Sequence, residues 1–183
     1  MQHRLVAAAL GLALLAGCDY TVSLVQKPDT PIDKALVGSW SLTGDDGRTQ
    51  QLLVLPLGAN EYLVSYPAGE KDAMFARACL CRADARTLVQ LTWFGTARGT
   101  TPDDDRVVQY AAYAVKGETL AVNLLNADTV KRDAATPEAL AQAIAANRDN
   151  PELFRETLIF KRERPADNPN ARLARPPMPA AWQ

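Results

Sequence analysis

The chain has 183 residues, with 20 Lys+Arg against 21 Asp+Glu and a formal net charge of −1. That balance offers neither the basic stripe that nucleic acid requires nor a polybasic handle for anionic lipid. The one histidine is His3. Everything after it therefore lacks a Ser-His-Asp or Cys-His site and any His-ligated zinc or copper centre, although chemistry by carboxylates, Lys or Tyr stays open.

The chain opens with one positive charge, Arg4, followed by an apolar run from Leu5 through Leu15 and then Ala16 and Gly17. This is a signal peptide over residues 1–17, too short for a comfortable membrane span of about 20 residues. Leu15-Ala16-Gly17-Cys18 resembles the lipobox of bacterial lipoproteins. The resemblance implies a diacylglyceryl thioether on Cys18, cleavage before it and acylation of its new amine. Acyl chains at roughly 0.8 kcal/mol per buried CH₂ would then hold the protein on the bilayer. The competing reading is an ordinary secretory signal with an incidental cysteine. Asp19 resembles the signal that keeps enteric lipoproteins in the inner membrane, so the protein is expected on the periplasmic side of a membrane, leaning towards the inner one.

Residues 18–34 carry Pro28 and Pro31 and read as the lipidated N-terminus and a polar linker, with any order confined to its far end. The domain is expected over 35–163, beginning with strands at 37–43, 50–57, 61–67, 73–81, 86–94, 106–116 and 118–126, with a last one at 156–162. Alternation supports them: Trp40 and Leu42 share a face, as do Tyr62, Val64 and Tyr66, and again Val89, Leu91 and Trp93. Short turns such as Gly44-Asp45-Asp46-Gly47 and Lys116-Gly117-Glu118 force antiparallel neighbours. A helical insertion falls within 127–155, with Thr136 as N-cap, Pro137 at the first helical position and an apolar stripe of Ala139, Leu140, Ala143 and Ile144. The Pro- and Arg-rich stretch 164–183 reads as a disordered tail, with Trp182 as a docking residue at most.

Eight strands in a meander predict an all-β, eight-stranded antiparallel barrel with a short inserted helix, since closure removes exposed edges. A half-open barrel or a sandwich is the alternative. Gly38-Ser39-Trp40 resembles the Gly-x-Trp motif of lipocalins. In that family the Trp packs at the closed end of the barrel beneath an Arg that follows the last strand. The resemblance implies that role for Arg162 or Arg164. Lipocalins place their helix after the eighth strand, whereas here it precedes the last one.

Three constellations carry candidate chemistry. Tyr62, Tyr66, Trp93 and Tyr110, with Tyr113, are the large aromatic residues of the middle strands and line either a ligand cavity or a packed core. Cys79 and Cys81 flank Leu80; regular strand geometry sets their Cα atoms roughly 6.6 Å apart, at the edge of what a disulfide spans. A disulfide, two thiols, and metal or redox use all remain open. Asp103-Asp104-Asp105 reads as a solvated loop, because a calcium loop needs alternating acids and a glycine turn. No metal site or cofactor is expected. The expected function is a membrane-anchored envelope lipoprotein whose lipocalin-like barrel binds a small apolar ligand. The alternative is a structural or protein-interaction lipoprotein with a solid barrel and an envelope partner met by the 127–155 insertion or the tail. With no triad, phosphate loop or nucleotide fingerprint, the chain is not expected to be an enzyme.

Overall fold

A computed structural model of the chain describes residues 20–103 and 105–163. The expected signal peptide over 1–17, Cys18, Asp19, Asp104, Arg164 and the expected tail over 164–183 with Trp182 lie outside the described residues.

Eight strands follow one another around a closed antiparallel barrel: β1 (Gly38–Thr43), β2 (Thr49–Pro56), β3 (Tyr62–Tyr66), β4 (Met74–Ala83), β5 (Arg86–Thr96), β6 (Val108–Lys116), β7 (Thr119–Leu124) and β8 (Leu158–Arg162). Each pairs with its sequence neighbour. The ring closes where Trp40 and Ser41 of β1 pair with Arg162 and Lys161 of β8, so neither the half-open barrel nor the sandwich applies. The tightest links use residues that accept left-handed backbone: Asp84, at φ 56, turns β4 into β5, and Gly117, at φ 57, turns β6 into β7.

Alternation sorts the side chains into two cores. Inward residues of all eight strands, among them Trp40, Val54, Tyr62, Val64, Ala78, Leu120 and Phe160, fill the barrel. A second core lies outside the wall. Outward residues Cys81, Ala83, Leu88, Val108 and Tyr110 are covered there by Tyr20, Leu125, Val130 and Leu153, and by Leu140 and Ile144 of helix α1 (Pro137–Ala146). That helix starts as its sequence dictates: the Thr136 hydroxyl accepts from the Ala139 N–H at 3.2 Å, and Pro137 stands at the first turn.

The expected linker is corrected in its extent: order is not confined to its far end but reaches back to Tyr20. From Tyr20 onward the segment is a strap bonded to the barrel. Tyr20 and Val108 exchange two backbone hydrogen bonds of 3.0 Å each. The Gln90 side-chain amide receives the Val25 N–H at 3.0 Å and donates to the Val25 carbonyl at 2.9 Å, imitating a strand neighbour. The Tyr110 hydroxyl accepts from Leu24 N–H and donates to the Val22 carbonyl. Asn60 and Ala59 hold Pro28 and Ile32, and the strap ends in a single 3-10 turn over Lys34–Leu36 that closes the barrel below β1. Prolines made these residues look like a tether; side chains of strands far away in sequence supply the partners that fix them.

Candidate functional site

The barrel ends differ. At the closed end, Leu36 plugs the interior and its carbonyl accepts from Trp40 Nε1 at 2.9 Å. The Arg162 guanidinium covers the Trp40 ring at 4.0 Å and donates to the carbonyls of Val37 at 2.9 Å and Ala35 at 2.7 Å. Gly38 permits this: its φ is +142°, and a Cβ there would stand 2.7 Å from Arg162 Nη1. The Arg over Trp40 is therefore Arg162. At the same end the Asp33 carboxylate accepts from the Tyr113 hydroxyl at 3.2 Å and caps the Ala35 N–H at 2.9 Å, while Asp33 N–H donates to the Tyr62 hydroxyl at 2.6 Å.

Above this floor lies a cavity of about 110 Å³. Its wall runs from Leu36 and Tyr62 through Val64, Leu91, Ala111, Tyr113 and Phe160 to Tyr66, Trp93, Leu124 and Leu158 near the opposite, loop-bearing end. Among the described residues that line it, none carries a carboxylate, amine or guanidinium. The polar tips of its aromatic rings are committed to protein partners: Tyr62 and Tyr113 to Asp33, Tyr66 to Gln50 Oε1 at 2.5 Å, and Trp93 Nε1 to Gln109 Oε1 at 2.9 Å. Burial pushes the Tyr66 phenol up to about 12, helped by the Glu70 charge, and Tyr113 up to about 12, helped by Asp33. The interior is thus uncharged near neutral pH and presents ring faces and methyl groups.

Of the five aromatic residues expected there, Tyr62, Tyr66, Trp93 and Tyr113 meet around this cavity and Tyr110 does not. Tyr110 is corrected to the outer face, where it packs edge-on against Tyr20 at 5.6 Å between centroids and holds the strap. Tyr113 takes the inner place, because residues three apart on a strand face opposite sides. Missed by sequence reasoning were Gln109, which fixes the Trp93 indole, and Asp33, which fixes two tyrosines. The Gln109-Ala111-Tyr113 alternation was the available signal for the first.

Of the readings left open for the cysteine pair, the structure has two thiols and not the possible disulfide: Cys79 and Cys81 are free and buried. They face outward from the part of the β4–β5 ladder that is regular, Ala76 to Ala83, opposite Gln90 and Leu88, so their side chains run parallel instead of converging. Burial pushes Cys79 up to about 11 and Cys81 to about 12, which leaves them protonated and poorly nucleophilic. Asp103 and Asp105 are exposed. No cluster suited to a metal ion occurs among the described residues, and no described helix is long and apolar enough to cross a membrane.

Compared with known proteins, the chain matches no family model, no curated protein and no solved structure.

Proposed function

We propose that this protein is a lipocalin-like envelope lipoprotein, anchored through acylated Cys18 and facing the periplasm, whose barrel binds one small apolar ligand. The observation that carries the reading is the uncharged cavity of about 110 Å³ inside a closed barrel. An apolar cavity of about 150 Å³ stays dry and takes up benzene or xenon, so this one suits a small ring or a segment of one acyl chain. The Trp40–Arg162 floor supports the lipocalin-like reading. Leu140 and Ile144 of α1 are spent on the outer core, so the apolar stripe of the insertion is not available to an envelope partner. This favours ligand binding over a solid interaction barrel.

Native mass spectrometry of the full chain, extracted from membranes in mild detergent, is the test. One extra apolar mass per chain is expected, and an Ala111→Phe variant should lose it, since Ala111 lines the cavity. An adduct retained in that variant, or none in the wild type under any extraction, contradicts the proposal.

A further inference from the structure

The loop-bearing end of the barrel carries an apolar patch made by a break in strand register. Between Phe75 and Ala76 the β4–β5 pairing shifts, with Phe75 opposite Gly95 and Ala76 opposite Trp93. Phe94 is the extra residue of this bulge, and bulges re-aim side chains. With Trp93 directed inward, Phe94 stands outside and 47% exposed, stacked on Phe75 at 6.4 Å and 24°. Placing a large ring in water has no structural return for the barrel, whose core is complete without it.

The chain's entry point lies on the same flank. Tyr20 is 1% exposed and bonded to Val108, which on its other edge pairs with Thr92, two residues before Phe94. Two peptide units of about 3.8 Å each keep Cys18 within roughly 8 Å of Tyr20. The anchor therefore has no long leash: an acyl group on Cys18 brings this flank to the membrane surface. Charge does not drive the contact. Arg98 is paired with Asp72, and the exposed Asp103 and Asp105 belong to the same end.

We infer that Phe75 and Phe94 rest in the interfacial layer of the bilayer, so that the loop-bearing end of the barrel, where Trp93, Leu124 and Leu158 line the cavity, faces the lipid. This rests on acylation of Cys18. It makes the source of the ligand the bilayer itself, and it makes docking insensitive to salt and to anionic lipid, as expected of apolar insertion.

Nitroxide labels on Phe94→Cys and, separately, Leu57→Cys test it in the full lipidated chain reconstituted in phosphatidylcholine vesicles. Leu57, at 44% exposure, is a matched control in the β2–β3 loop at the closed end; Cys79 and Cys81 are buried. The Phe94 label should lose accessibility to a water-soluble nickel chelate and gain it to oxygen on reconstitution, equally in low and high salt, while the Leu57 label stays wet. A wet Phe94 label, or a protected Leu57 label, overturns the orientation. A chain that is not acylated, and so does not stay with the vesicles, overturns it together with the anchor, and leaves ligand uptake by the cavity to be judged by the mass spectrum alone.

Discussion

Arg162 lies over the ring of Trp40, 4.0 Å from its centroid, while two of its nitrogens donate to the carbonyls of Val37 and Ala35. One side chain thus seals the seam between the last strand, the first strand and the 3-10 turn that floors the cavity. Arg162→Lys keeps the charge and loses the fork. A loss of about 2 kcal/mol is expected from the weakened ring contact and the abandoned carbonyls, measured by urea denaturation. Stability within error of the wild type would show the stack to be ornamental.

Gly38→Ala meets both the +142° φ and the Arg162 side chain. Roughly 2 kcal/mol of destabilisation is expected from strain and crowding. Combined with Arg162→Ala, the two losses should be less than additive, because the crowding partner is gone. Strict additivity in a double-mutant cycle would refute the contact.

The N-terminal strap has its own test. Gln90→Ala removes both bonds to Val25 and should cost about 1–2 kcal/mol. Amide hydrogen exchange at Val25 and at Leu24, whose N–H is held by Tyr110, should accelerate ahead of exchange in β4 and β5. Uniform acceleration everywhere would mean that the strap does not open as a unit.

Stability should be flat from about pH 6 to 8, since the one histidine, His3, precedes the barrel, and should fall at alkaline pH. Cys79 and Cys81 start from 9.0, and Tyr66 and Tyr113 from 10.0, and burial raises all four in the folded state. As pH climbs past 9.0 the unfolded chain releases these protons first, so the unfolded state gains and stability declines until the folded thiols and phenols ionise near 11 to 12. In a Cys79→Ala/Cys81→Ala chain the onset of the fall in melting temperature should move up towards the tyrosine range. An unmoved onset would assign the alkaline loss to other groups.

Period-two alternation is local, and it located all eight strands to within a few residues; the Thr136-Pro137 start of α1 is likewise written in adjacent residues. Facing is harder to read. Tyr110 and Tyr113 were grouped by type although their odd spacing separates inside from outside. The outward apolar residues Cys81, Leu88 and Tyr110 signalled a second layer, but what covers them comes from Tyr20 and from Leu140, far away in sequence. The strap was illegible for the same reason: its backbone partners are the side chains of Gln90, Tyr110 and Tyr62, and no window of neighbouring residues contains both halves of those bonds.

The central claim, that the barrel interior is a binding site, is tested most directly by titrating the protein with fluorobenzene and following ¹⁹F resonances. Saturable binding of one molecule per chain is predicted, abolished by Ala111→Phe and untouched by Phe94→Ser on the outer wall. Absence of saturable binding, or binding that survives Ala111→Phe unchanged, would contradict the account.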